Sequence, residues 1–326
     1  MTLLKSLVLS AAFLTCAFTQ LAASAHDDSR EMSAKTVHYQ TAKVDGLNVF
    51  YREAGDPSKP TILLLHGFPT SSQMFRNLIP RLAEKYHVIA PDYPGFGQSS
   101  MPDRRQFAYT FDNLSLVVEH FLEAVGISKY ALYAMDYGAP VGFRLATRHP
   151  ERVTAFIIQN GNAYEEGLQD FWVPIKQYWA ENSAANRDAL RPFLTLGGTI
   201  YQYTQGVSDV TLLSPDAWTT DQYYLDRAGN KEIQLDLFYD YQNNVALYPA
   251  WHTYFRTYQP PTLVVWGKND PIFPAAGAQA FKRDLTNLEF HLLDTGHFAL
   301  ESHGAEIAKL MMKFLGRNVK AETEDK

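Results

Sequence analysis

An aspartate, a second aspartate and a histidine stand at the ends of three apolar runs, in an order that suits a catalytic relay. The first is Asp136, in Ala134-Met135-Asp136-Tyr137-Gly138. A tight strand-to-helix turn forces its central residue into a strained conformation, and small residues two before and two after are what sterics permit there. The central side chain then stands at the strand's C-terminal end, near a helix N-terminus that favours negative charge. Serine is the usual centre of such a turn. Here it is a carboxylate, with no serine within several residues. An aspartate before a helix can also be an ordinary N-cap, so the turn alone does not make a nucleophile. Two further segments bear on it: Trp266-Gly267-Lys268-Asn269-Asp270 ends a late apolar run with an acid, and Asp294-Thr295-Gly296-His297-Phe298 ends the last one with a histidine. His66-Gly67-Phe68-Pro69 lies where backbone N–H groups can meet a developing oxyanion. Taken together, the order and the strand-end placement point to Asp136 as nucleophile and His297 as base, oriented by Asp270.

The elements that must position these residues alternate along the chain. Residues 36–54 alternate apolar and polar around Asp45-Gly46 and predict a hairpin. Strands are expected at 61–65, 87–90, 130–134, 153–159, 262–266 and 289–293, and helices from Ser71 or Ser72 to about 85, at 111–125, 138–148, 275–284 and 305–314. This is an α/β pattern with a parallel sheet. Between 162 and 250 it gives way to a helical, aromatic-rich stretch holding Trp172, Trp179 and Trp218, with Trp251 at its edge. An insertion there, after which the sheet continues, is what a lid over an active site would look like. The expected division is a core of 26–161 and 251–320, a cap of 162–250 and a disordered tail of 321–326.

Residues 1–25 predict a removed signal peptide: Lys5, an apolar run from Leu7 to Phe18, and the small-x-small Ala23-Ser24-Ala25. A periplasmic or secreted protein follows, with no stable membrane anchor after cleavage. Cys16 is the only cysteine, so the mature chain has no disulfide, thiolate metal site or cysteine nucleophile, and a large core must carry its stability. The net charge of −6 and the absence of a basic cluster argue against nucleic acid as a partner. No metal-ligand spacing or phosphate loop is present, so no cofactor is expected.

The sequence resembles the α/β-hydrolase superfamily over essentially the whole mature chain, and its elbow aspartate resembles the branch of epoxide hydrolases and haloalkane or haloacetate dehalogenases. The resemblance implies a mostly parallel eight-stranded sheet flanked by helices, with an inserted helical cap. Asp92-x-x-Gly95-x-Gly97-x-Ser99 is also typical of the superfamily and reads as architectural. A carboxylate nucleophile implies displacement at a saturated carbon, giving an alkyl ester that His297-activated water then hydrolyses. The oxyanion of that second step would be held by the N–H groups of Phe68 and Tyr137.

The leaving group is less well marked. Asp240-Tyr241-Gln242-Asn243 resembles the late-cap tyrosine segment of epoxide hydrolases, where Tyr-Arg-Asn is common, with Gln242 in place of the arginine. Tyr241 is therefore expected to protonate an epoxide oxygen, with Tyr178 as a second early-cap tyrosine and Trp179 beside it as a substrate contact. Haloalkane dehalogenases generally carry tryptophan where this chain has Tyr137 and often asparagine where it has Phe68. Haloacetate dehalogenases place arginines after the nucleophile, where this chain has Tyr137 and Pro140. The expectation is an enzyme that opens an epoxide on a small apolar substrate to a vicinal diol. Dehalogenation by the same two steps, ester or lactone hydrolysis with Asp136 as general base, and ligand binding without catalysis stay open. An aromatic cap could also pair two copies as a homodimer.

Overall fold

A computed structural model describes residues 36–319; the expected signal peptide and the expected tail lie outside the described residues. Eight strands form one sheet: β1 (His38–Val44), β2 (Leu47–Ala54), β3 (Thr61–Leu65), β4 (His87–Pro91), β5 (Tyr130–Met135), β6 (Val153–Gln159), β7 (Thr262–Gly267) and β8 (Leu288–Leu293). Their spatial order is β1-β2-β4-β3-β5-β6-β7-β8. The β1–β2 hairpin and the β2–β4 pairing are antiparallel, and every other pair is parallel. The parallel strands β3 to β7 are almost continuous runs of buried residues, because helices cover both faces and no strand side can be polar.

On those faces lie α1 (Ile79–Leu82), α2 (Phe111–Ala124), α3 (Gly138–Arg148), α10 (Ala275–Ala280) and α11 (Ala299–Asn318). The helix expected from Ser71 to about 85 is instead a 3₁₀ turn, Ser72–Phe75, followed by the short α1. Pro80 is the reason: lacking an N–H, it suits the first turn of a new helix and not the interior of an old one. The last helix is longer than expected, beginning at Ala299 with a kink at His303 (φ −118°).

Between β6 and β7 the chain forms α4 (Val173–Ala180), α5 (Ala184–Asp188), α6 (Leu196–Thr204), α7 (Pro215–Leu225), α8 (Asn230–Asp240) and α9 (Gln242–Tyr258). Helix α9 runs eight residues past the 250 boundary without a break and packs against α3. Strands β3, β5, β6, β7 and β8 are parallel and all finish at the same end of the sheet, and the segments that leave them carry Phe68, Asp136, Asn160, Asp270 and His297. The order reverses between β3 and β5, where a crevice opens at the strand ends. Two glycines let the layers close there. A Cβ on Gly138 would come within 2.3 Å of the Leu65 carbonyl, and one on Gly67 within 2.3 Å of Asp136 Cβ. Among the described residues no helix is long and apolar enough to cross a membrane.

Candidate active site

Asp136 sits at φ +49°, a left-handed conformation that is unfavourable for a residue with a Cβ. The backbone N–H of Asp136 reaches the Asn160 carbonyl (3.3 Å), and Tyr137, not Asp136, occupies the N-cap position of α3. The carboxylate does not cap the helix; it points into the crevice, with Oδ1 accepting the Phe68 N–H at 2.7 Å. The Tyr137 N–H also favours its ionised form. The two backbone donors expected for an oxyanion thus converge on Asp136 itself. Oδ2 faces His297, whose Nε2 is 3.7 Å away, too far for a direct hydrogen bond.

His297 is fully buried, and its Nδ1 meets Asp270 Oδ2 at 2.8 Å. Asp270 is held in turn by the Ile272 N–H on Oδ1 (2.8 Å) and by Asn160 Nδ2 on Oδ2 (2.8 Å). These contacts fix the imidazole so that Nε2, which has no hydrogen-bond partner, is directed at Asp136. Sequence reasoning did not single out Asn160 as part of the site. Its side chain accepts the Gly267 N–H (3.0 Å) while donating to Asp270, so one residue ties the ends of β5, β6 and β7 together. The available signal was an asparagine beside a glycine at a strand end, since asparagine tolerates the left-handed conformation it adopts there, φ +45°. Asp92 braces the adjoining loop through the Ser72 and Gln98 N–H groups (2.7 and 2.8 Å).

Burial raises Asp136 to a pKa of about 6, against the opposing pull of His297 and the two N–H donors. Burial alone would lower His297, but Asp270 and Asp136 outweigh it and leave the imidazole more basic than usual. Tyr241 is pushed well above its ordinary range by burial, by Tyr248 and by the Asp136 charge.

The cap covers a narrow, mostly apolar pocket above Asp136, walled by Phe171, Trp172, Phe193 and Phe238 from the cap side and by Phe68 and Ile272 from the core. Tyr241 stands behind this wall. Its ring is 4.5 Å from that of Trp172 and 6.2 Å from that of Tyr137, and its hydroxyl is buried without a well-formed hydrogen bond. Tyr178 and Trp179, expected as substrate contacts, are placed differently. The Tyr178 hydroxyl accepts from Arg187 (2.9 Å), its ring packs on Tyr239, and it lies outside the cavity wall. Trp179 donates its indole N–H to the Phe238 carbonyl (2.7 Å). One turn earlier on α4, Ile175 is the residue that reaches the cavity. Among the described residues no group of three or more histidine, cysteine and acidic side chains is arranged to hold a metal ion.

Residues 60–304 match the family described as alpha/beta hydrolase fold. The chain belongs to the α/β-hydrolase family. It is 49% identical over 278 residues to an uncharacterized hydrolase of Saccharomyces cerevisiae, covering 84% of this chain and 95% of the yeast protein. It is 27% identical over 281 residues to a haloalkane dehalogenase of Psychrobacter cryohalolentis (83% of this chain, 88% of the relative). With Epoxide hydrolase 3 of Mus musculus it shares 25% over 286 residues (84% and 75%). Among solved structures, the haloalkane dehalogenase DatA from Agrobacterium tumefaciens superposes with a TM-score of 0.73 at 24% identity, over 88% of this chain and 99% of that one. That likeness establishes the fold. This α/β-hydrolase is therefore a hydrolase with relatives named for two chemistries.

The raised pKa of Asp136 has a consequence for stability. Between the unfolded value near 3.8 and the folded value of about 6, the folded state binds more protons than the unfolded one, so stability falls as pH rises through that window. Asp136→Asn removes this loss. Urea denaturation should find the variant more stable than wild type at pH 7, by up to about 3 kcal/mol, with the gain shrinking toward pH 4. A gain that does not change with pH would contradict the assignment.

Proposed function

We propose that the enzyme opens an epoxide to a vicinal diol by covalent catalysis, and that it works as an exported protein. The observation that carries the reading is the Asp136 carboxylate itself, with one oxygen on backbone N–H donors and the other facing the His297–Asp270 pair. A carboxylate so placed can displace a leaving group from a saturated carbon. In the first step Asp136 Oδ2 bonds to an oxirane carbon, the C–O bond breaks, and the freed oxygen takes the Tyr241 phenolic proton. In the second step His297 Nε2 takes a proton from water as that water attacks the ester carbonyl. Oδ1, already on the Phe68 N–H, becomes the oxyanion, and the Tyr137 N–H is the second donor for it. Collapse releases the diol with the proton from His297, and the proton left on Asp136 restores Tyr241.

The charge of Asp136 orders these events. While ionised, it raises both Tyr241 and His297. Alkylation neutralises it. Tyr241 then becomes the stronger acid just as the oxygen needs a proton, and His297 is freed as a neutral base just as water must be activated.

A specific observation favours an epoxide over a halide. A departing halide needs free N–H donors in the cavity. Trp172 in the wall and Trp179 beside it spend their indole N–H groups on the Ile272 and Phe238 carbonyls, each at 2.7 Å, so no tryptophan is free to hold a halide, and the Gln202 carboxamide is the one other side chain of the wall that carries N–H groups. The Tyr241 hydroxyl, by contrast, has only the Tyr248 hydroxyl beside it and makes no well-formed hydrogen bond. The resemblance to named epoxide hydrolases and haloalkane dehalogenases supports displacement chemistry without choosing between them.

In His297→Gln the ester should form and persist. Intact-protein mass spectrometry after incubation with aryl epoxides should show an adduct of full substrate mass mapped to Asp136, and Asp136→Asn should show none. An adduct only from alkyl bromides, lacking the halogen, would move the reading to dehalogenase; no adduct from any electrophile would remove the two-step mechanism. Tyr241→Phe should slow epoxide opening by about 10²–10⁴-fold and leave the hydrolysis of an aryl ester almost unchanged. Equal losses on both substrates would remove Tyr241 as the acid.

A further inference from the structure

The chemistry above uses no group on α6, yet α6 presents Gln202 to the cavity. Gln202 is the one polar side chain that the cap contributes to the wall of the space above Asp136, and it is only 4% exposed. A carboxamide carries two N–H donors and a carbonyl acceptor. This one has no hydrogen-bond partner among the described residues. Its neighbours in the wall are aromatic or aliphatic apart from Asp136.

The helix is also held firmly. The next residue, Tyr203, stacks on Phe298 with centroids 3.9 Å apart, directly beside His297, and its hydroxyl donates to Asp221 Oδ2 at 2.5 Å. Thr199 donates to Gln222 (2.8 Å). At the end of α6, the Gln205 carbonyl lies so near Gly296 that a Cβ there would come within 2.0 Å of it. The Gly206 carbonyl accepts from Asn269 Nδ2 (2.9 Å). Gln202 is thereby fastened, through its own helix, to both loops that carry the acid and the histidine. Tyr241, proposed to meet the oxirane oxygen, stands elsewhere in the cap, behind Trp172 and against Tyr137 and Phe111.

Resting on the epoxide reading of this site, we propose that the substrate carries a second, neutral oxygen, a hydroxyl or a carbonyl, and that the Gln202 carboxamide recognises it. The preferred substrate class is then an oxygenated hydrocarbon epoxide and not a bare one. Neutrality follows from the cavity's charge. An anionic substituent would be repelled by Asp136, and a cationic one would pair with that carboxylate and hold it back from attack. No cationic side chain lines the space, and the nearby buried Arg144 is occupied by Asp112, the Pro140 carbonyl and Asn244. An amide can both give to a carbonyl and take from a hydroxyl, so either form of the oxygen fits.

The test is a cycle between enzyme and substrate. Terminal epoxides of one chain length, unsubstituted or with a hydroxyl or keto group moved along the chain, are compared by kcat/KM for wild type and Gln202→Met, which nearly keeps the side-chain volume. For at least one position the oxygen should raise the wild-type value by about tenfold or more. Gln202→Met should erase that gain, read within each enzyme as the ratio of the oxygenated to the unsubstituted value. The hydroxyl and keto series show which form is preferred. Wild-type indifference to the oxygen at every position, a gain that survives in Gln202→Met, or an equal fall on all substrates would each overturn the inference while epoxide turnover stands. Failure of wild type to turn over any epoxide would overturn the reading beneath it, and the inference with it.

Discussion

Burying a carboxylate among aromatic rings disfavours its ionised form, and the architecture of this site can be read as the means of keeping Asp136 both buried and usable. The strain at φ +49° lifts its side chain out of the strand end. The Phe68 N–H holds one oxygen, the Tyr137 N–H and His297 also favour the ionised form, and burial still raises the group to about 6. That balance matters. At neutral pH the carboxylate is mostly ionised and poorly solvated, the condition in which it is most reactive toward an electrophile.

The rest of the site follows from the same charge. Its donors cannot be side chains that move, so they are backbone N–H groups fixed by the close approach of Gly67 and Gly138 to neighbouring backbone and side-chain atoms. Its histidine cannot drift, so Asp270 holds Nδ1, and Asn160 and the Ile272 N–H hold Asp270. Asn160 is the point where these demands meet: one residue takes the Asp136 N–H on its carbonyl, the Gly267 N–H on its side-chain oxygen, and Asp270 on its side-chain nitrogen. Loss of that side chain would loosen the elbow and the acid together.

What could be read from the sequence, and what could not, divides along physical lines. Strands buried on both faces are short aliphatic runs, so β3, β5, β6 and β7 announce themselves, and residues at their C-terminal ends must share one end of the sheet. That is why Asp136 and Asp270 could be singled out together; His297 follows β8, a half-buried edge strand, and joined them through its order in the chain. The cap offers no such ruler. Its helices are aromatic on several sides, and a one-residue error in facing turns a side chain from the cavity to a neighbouring helix. Tyr178 and Trp179 illustrate this, since Ile175 faces the cavity while they engage Arg187 and the Phe238 carbonyl. Gln202 was hidden for the same reason, lying between Tyr201 and Tyr203 in a stretch that reads as apolar packing. Asn160 escaped notice because its partners are distant in sequence and meet only when the strands align.

The central claim is that the oxygen delivered to the product in the first turnover comes from Asp136 and not from water. It is tested most directly by a single turnover of an epoxide in ¹⁸O-water with enzyme in excess, followed by mass analysis of the diol and of the peptide containing Asp136. The covalent account predicts an unlabelled diol and an ¹⁸O atom in the Asp136 carboxylate. A labelled diol with an unlabelled Asp136 would mean that the carboxylate acts only as a base for water, and would contradict it.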